Sequence, residues 1–492
     1  MNIPAPWKRN TLTDPYFLTL AGTATGLASL GTASAPAAET AVAAASTKAP
    51  AQIRVAFIYP PSKTFSDDPN GWWSWPGNEF DAEGRQKKYV KELRKVEEEL
   101  GVELTIDSQP IASNQQVSAL TKELSEKRPD GLLLVMFYNR SLKQADALLK
   151  AAEANGIPVI FYIGLGVKHG AVAHYRRPGV YFIQSLDNLQ AIEYGLRMVH
   201  ARKRMAAARL LSITEAPAEQ EGVEKFFGTT VRVVPFSQYA EAFEKVTIGE
   251  EARKWIETNQ KKATEIRQIS PKAMDNAARA YFALQQLLEK HQGDGLTMNC
   301  LKRGMLKPCL AFSVLNGQLI PAACENDFPA MYTQLLGQLL TGRPGFQHNP
   351  CFDTEGNTYY GSHCTCPIRV YGPSGDTLPY LLRRFAHTNE GSCAIQVFWK
   401  ADDPVTMVRY HQGKPPSLDI YEGRVVASHP MPPAAGCTTN VEVKINDRPD
   451  ACMVKGHHNL LFCGDHARKF RLFAQLYKMR IADTGSTTAW PG

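Results

Sequence analysis

The chain has 492 residues, is 44% hydrophobic and 21% charged, and carries a net charge of +7. That is an ordinary globular composition with room for two or three cores. The positive charge is dispersed, with no basic stripe interleaved with aromatics, so nucleic acid is not an expected partner. Beyond the N-terminus no run approaches the ~20 apolar residues of a membrane-spanning helix, so no membrane is expected either.

The first fifty residues read as a secretory leader and an alanine-rich linker. Lys8-Arg9 precede a mildly apolar stretch, Phe17 to Leu30, and Ala33-Ser34-Ala35 offers a small-residue cleavage pattern. The pattern is twin-arginine-like, with Lys8 in place of the first Arg, and implies an exported or periplasmic protein. Pro36 and Asp14-Pro15 weigh against it, and the alternative is a cytoplasmic protein with a disordered extension. The ten cysteines all follow residue 299 and lack the density of a disulfide scaffold.

From Gln52 to about residue 205, strands and helices alternate. Strands are predicted at Ile53–Tyr59, Val102–Ile106, Gly131–Phe137 and Ile157–Ile163, with helices at Glu83–Leu100, Asn114–Lys127 and Leu142–Asn155. The near-continuous apolar runs mark buried parallel strands of an open sheet with helices on both faces. A loop after the first strand carries Trp72, Trp73 and Trp75, placed to stack on a sugar or to pack locally over the sheet edge. His169 and His174 receive no role.

A second α/β unit is predicted over 206–378. Leu210–Thr214 opens it, Glu250–Lys290 is mostly helix interrupted at Pro271, and Leu296–Cys300 and Cys309–Ser313 read as strands leading to Glu325. Asp327 is a good N-cap with Pro329 in the first turn; Met331, Leu335, Leu336, Leu339 and Leu340 repeat at helical spacing, and Gly342 with Pro344 ends the helix. Asp353-Thr-Glu-Gly-Asn357 is turn chemistry between Phe346–Phe352 and Thr358–His363, a hairpin that would set Asn349 across from His363. The chain returning from the helix end can therefore bring Glu325, His348 or Asn349, and His363 to one spot. The competing reading makes Glu325 a cap and the histidines satisfied core groups.

After Pro379 the texture changes to short strands: Ala394–Trp399, Val405–Tyr410, Ser417–Tyr421, Val425–Ser428 and Val441–Ile445. An all-β barrel or sandwich module is expected over 379–492. Gly456-His457-His458 stands inside it, leading into a further strand.

The phrases ACENDFPA, LLTGRPGFQHNP and GSHCTCP, in that order, resemble the C-terminal half of the L-fucose isomerase and L-arabinose isomerase superfamily, most closely its L-fucose isomerase-like group. The likeness is strong from Leu296 to His363 and fainter on to Asp465. The resemblance implies two open parallel-sheet, Rossmann-like domains followed by the β module, a homotrimer or homohexamer, and a monosaccharide isomerised through an enediol with Mn²⁺ or another divalent cation. It makes Glu325 a metal ligand and acid/base, and His458 and His363 further ligands. The chain departs from the family at Asn349, where relatives carry Asp as ligand and second proton-transfer group. An amide offers an oxygen to a metal but takes no proton. His348 next door is a candidate substitute or sugar contact, and Trp73 and Trp75 are candidate sugar contacts. Asp353 is a weaker candidate than its role in starting the turn.

Three functions remain open on this reading: a metal-dependent aldose–ketose isomerase with an altered site, a sugar- or polyol-binding protein that does not turn its ligand over, and a structural or partner-binding protein.

Overall fold

The computed structural model describes residues 49–66, 77–168, 170–301, 303, 306–385, 392–434 and 436–481. The proposed leader, Trp72, Trp73, Trp75 and His169 lie outside the described residues. No helix among the described residues is long and apolar enough to cross a membrane.

The first sheet is wholly parallel, in the order β2-β1-β3-β4-β5, from β1 (Gln52–Ile58), β2 (Glu103–Ile106), β3 (Gly131–Met136), β4 (Val159–Gly164) and β5 (Val180–Ser185). Helices α1 (Ala82–Leu100), α2 (Asn114–Lys127), α3 (Leu142–Ala154) and α4 (Leu189–Ala207) cover it. Because side chains alternate along a strand, Ile53, Val55 and Phe57 of β1 enter the core shared with α1 and α4. Ala56 and Ile58 enter the core under α2 and α3. Asp81 and Gly101 cap α1, the glycine in the left-handed region at φ 63°.

The second sheet has the order β11-β10-β6-β8-β7, from β6 (Arg209–Thr214), β7 (Gln220–Val223), β8 (Thr230–Pro235), β10 (Gly295–Met298) and β11 (Ala322–Cys324). It is parallel except for β7, which runs antiparallel at one edge. Its flanking helices are α5 (Phe236–Lys245), α6 (Glu250–Lys262), α7 (Pro271–Lys290), α8 (Cys309–Gly317) and α9 (Phe328–Thr341). The expected strand at Cys309–Ser313 is the first half of α8. Eight of the nine α8 residues are buried, so no polar face marks its period, and a short apolar run of that kind cannot be told from a strand. Between α6 and α7, β9 (Glu265–Arg267) joins β14 (Tyr380–Arg384) and β15 (Cys393–Val397) in a small third sheet. The expected strand Ala394–Trp399 thus belongs to this sheet and not to the β module.

The remaining strands are β12 (Gly345–Asp353), β13 (Thr358–His363), β16 (Pro404–His411), β17 (Ser417–Ser428), β18 (Thr439–Ile445), β19 (Asn459–Cys463) and a short β20 (Arg480–Ile481). They run β16-β19-β12-β13-β18-β17, and β17 pairs back onto β16, closing an antiparallel barrel; β20 adds to β17, and α10 (Ala467–Leu476) follows β19. The barrel therefore takes in the 345–363 hairpin, which the sequence reading left in the second α/β unit. The pairings that recruit it join Gly345–His348 to residues 459–462, a partner no local pattern reveals.

Helix α9 locks this barrel to the second sheet. It begins and ends where the sequence requires, with Asp327 Oδ1 accepting from Ala330 N, Pro in the first turn and Gly342 at φ 66°. Met331, Leu335, Leu336 and Leu340 are buried, while Leu339 is half-buried. Gly337 lets the helix lie directly on β19: a Cβ there would sit 2.1 Å from Phe462 Cζ. Buried residues of α9, of β16 and β19, and of the first sheet's α1 and α4 share one continuous core.

Candidate metal centre

Glu325 follows β11, the edge strand of the second sheet, at its carboxyl end. The edge is held by a barrel side chain: Cys324 N donates to Gln347 Oε1 at 2.7 Å, and Gln347 Nε2 donates to Cys324 O at 3.3 Å. One amide of β12 thus satisfies both backbone groups that an edge strand leaves open. Glu325 and Asn326 then both turn through the left-handed region, at φ 62° and 56°. Asn tolerates that region, and Asn326 is anchored there by Ser212 Oγ donating to its Oδ1 at 2.7 Å. Glu has no such reason, so roughly 1–3 kcal/mol of backbone strain is spent on aiming Glu325.

The carboxylate meets two imidazoles from distant segments. His363 Nε2, at the end of β13, lies 3.6 Å from Glu325 Oε1, and His458 Nε2, just before β19, lies 3.5 Å from Oε2. His363 and His458 are buried, and neither Nε2 has a hydrogen-bond partner among the described residues. Both separations exceed a good hydrogen bond. They lie near the ~3.0–3.4 Å expected between two ligands each ~2.1 Å from one cation. His457 adds a nitrogen whose separations from the Glu325 and His458 ligand atoms fall within 4.8 Å.

Behind this group stands Asp327. Its Oδ2 accepts from His458 Nδ1 at 2.9 Å and from Arg409 Nη2 at 3.3 Å, while Arg409 Nη1 donates to His458 O at 3.0 Å. A carboxylate on Nδ1 fixes the tautomer and leaves Nε2 bare toward Glu325, the arrangement by which ligand histidines are oriented. His458 itself is in the left-handed region at φ 59°, held by Arg409 through its carbonyl. Sequence reasoning assigned Asp327 only as a cap and gave no role to Arg409 or His457. The His-His pair was the one signal available for His457.

Burial opposes the charge on Glu325. His363, within reach of one oxygen, and the neighbouring His458 and His457 rings outweigh it and pull the carboxyl down to about 2. Asp327 is likewise drawn to about 2 against its burial, by His458 and Arg409. His363 goes the other way: burial lowers it, but the Glu325 carboxylate, ahead of any negative charge on the Cys324 and Cys437 sulfurs, carries it up to about 9.

The hairpin register differs from the expected one by a residue. Asn349 pairs with Ser362, which puts His363 one step on, across from His348. On its other side β12 pairs His348 with Asn459, so continuing that register sets Asn349 opposite His458. Its Oδ1 is buried and has no hydrogen-bond partner among the described residues. His348, expected at the sugar, is fully buried; Nδ1 donates to Phe346 O at 2.9 Å and Nε2 accepts from Tyr359 OH at 2.8 Å. With both nitrogens engaged it is a structural histidine of the barrel wall. Burial holds it down to about 3, hence neutral. Asp353 is the turn starter, its Oδ1 accepting from Glu355 N and Gly356 N.

Glu325, His457 and His458 offer ligand atoms within 4.8 Å of one another, and His363 Nε2, 3.6 Å from Glu325, can join them once an entering cation displaces its proton. A carboxylate with imidazole nitrogens is a donor set that fits a divalent cation. No family model and no curated protein matches this chain.

Proposed function

We propose that the chain is a diverged protein of the L-fucose/L-arabinose isomerase type, with two Rossmann-like domains ahead of its barrel, that binds a monosaccharide at a divalent-cation site made by Glu325, His363 and His458. The observation that carries this reading is the approach of two histidines, from β13 and the turn before β19, to the one carboxylate of Glu325 after β11, each with a buried Nε2 that has no hydrogen-bond partner among the described residues. Mn²⁺ or a similar ion held there would supply Lewis-acid polarisation of two adjacent sugar oxygens. The protein's own part is to orient and to move protons. Glu325, ionised across the neutral range, can take a proton from the carbon beside a carbonyl. Asp327 and Arg409 keep the His458 ring aimed.

On the other face of the expected enediol stands Asn349, which can accept a hydrogen bond from a sugar hydroxyl but cannot accept a proton. That favours a second reading, in which the protein binds a sugar or polyol and exchanges its protons slowly or not at all. Metal content of the purified chain, together with deuterium incorporation from solvent into a panel of aldoses, tests both. Stoichiometric divalent metal, sugar binding that needs it, and exchange lost in Glu325→Gln support the isomerase reading. Metal-dependent binding without exchange supports the second. Absence of any divalent binding that Glu325→Gln removes refutes both.

A further inference from the structure

The side of His363 turned away from Glu325 faces sulfur. Cys300 follows β10, Cys309 opens α8, Cys324 ends β11 and Cys364 follows β13, and all four lie in one buried core cluster. Cys437 packs against the same buried cluster. His363 Nδ1 lies 3.7 Å from Cys364 Sγ. Cys324, Cys364 and a His363 ring nitrogen offer ligand atoms all within 4.8 Å of one another, and all three residues are buried. None of these cysteines is in a disulfide.

Buried free thiols usually serve as small apolar fillers dispersed among carbon. Here the sulfurs are gathered against one another, and a thiol gains little from a second thiol because S–H is a weak donor and S a weak acceptor. Gathering of that kind is what a soft cation needs: zinc–sulfur bonds of ~2.3 Å place tetrahedral sulfurs roughly 3.8 Å apart, and the Cys324, Cys364 and His363 ligand atoms already lie within 4.8 Å of one another.

We propose that Cys324, Cys364 and His363 Nδ1, completed by Cys300 or Cys309, form a second, closed, thiolate-rich site for one soft cation of the Zn²⁺ class. As the cation enters, each ligating cysteine gives up its thiol proton and His363 its Nδ1 proton to solvent, and no oxidation is involved. The site shares the His363 ring with the Glu325 centre, through Nδ1 here and Nε2 there, but differs from it in offering thiolates, and its cysteines can hold a cation whether or not that centre does. It would tie β10, β11 and α8 to the barrel strand β13, fixing the distance between Glu325 and His363.

The test uses the full chain, stripped of metal under a reductant and titrated with Co²⁺. A sulfur-to-cobalt charge-transfer band that saturates at one equivalent is expected. Cys364→Ala should abolish it or weaken affinity by more than the roughly 10- to 100-fold typical of losing an outer-shell partner, because a ligand itself is lost. Cys452→Ser, an exposed thiol away from the cluster, should leave it intact. Glu325→Gln should also keep the band, which separates this site from the sugar centre. If Cys364→Ala does not fold, Cys324→Ser is read in its place. Absence of the band in the wild-type chain, or its survival unchanged in the cysteine variant, overturns the proposal.

Discussion

His348 in the barrel wall and His458 at the barrel mouth are both wholly buried, yet their rings are left in opposite states. In the wall, a carbonyl takes the Nδ1 proton and the Tyr359 hydroxyl fills Nε2, so nothing remains for a ligand. At the mouth, Asp327 takes Nδ1 and nothing fills Nε2, which faces Glu325 instead. Burial alone therefore does not separate a core histidine from a candidate ligand. The difference lies in whether the second nitrogen is satisfied, because a bare buried acceptor is costly unless something binds it.

The largest effect should come from restoring charge to the mouth. Asn349 presents an unpaired oxygen next in register to His458, but no base. Asn349→Asp supplies a second carboxylate to the cation and a second proton acceptor across the enediol. Since a general base is typically worth about 10² to 10⁴ in rate, aldose proton exchange should rise by that order, with divalent affinity rising alongside. Exchange kinetics and metal titration of the two proteins check it. A rise in neither would show that Asn349 does not face the reacting carbons.

A smaller effect should follow from loosening the ring at the mouth without touching a ligand. Asp327→Asn keeps a competent helix cap, since Asn and Asp rank alike there. It removes the charge that orients His458 and pairs with Arg409. Divalent affinity should fall roughly 10- to 100-fold, the usual effect of losing an outer carboxylate on a ligand histidine. Isothermal titration with Mn²⁺ reads this. Unchanged affinity would mean that His458 is not a ligand.

The same contrast shows what could be read from the sequence. The cap at Asp327, the stop at Gly342 and the turn at Asp353 were legible because each rests on chemistry within a few residues. The meeting of Glu325 with His458 came from resemblance, and the geometry brings the two within 3.5 Å. What stayed hidden depends on distant partners. The second oxygen of Asp327 finds a histidine 131 residues away, and Gln347 holds the β11 edge across 23 residues. The register of the 345–363 hairpin turned on one residue, because the turn, not the strand composition, sets which residues face each other. His348, although that step sets it across from His363, is kept in the wall by the Phe346 carbonyl and the Tyr359 hydroxyl that occupy both its ring nitrogens.

The smallest effect on the mouth should come from the wall itself. His348→Gln leaves divalent and sugar binding unchanged, because neither ring nitrogen is available to them. It should lower stability by about 1–3 kcal/mol at neutral pH, since the fully buried Tyr359 hydroxyl and Phe346 carbonyl lose well-placed partners. The deficit should shrink in acid, and the sign follows from linkage. Burial holds His348 at about 3 in the folded chain, below the ordinary value of 6.5. Between those limits the unfolded chain binds a proton that the folded one does not, so wild-type stability rises with pH through this window. It is fully present above about 6.5 and is lost as pH falls toward 3. Glutamine does not titrate, so the variant lacks this slope, and the two unfolding curves should converge as the pH drops. Urea unfolding of both proteins at pH 7 and pH 5 measures it. A constant difference between them would mean that His348 is not held neutral, and a loss of metal binding in the variant would return His348 to the mouth.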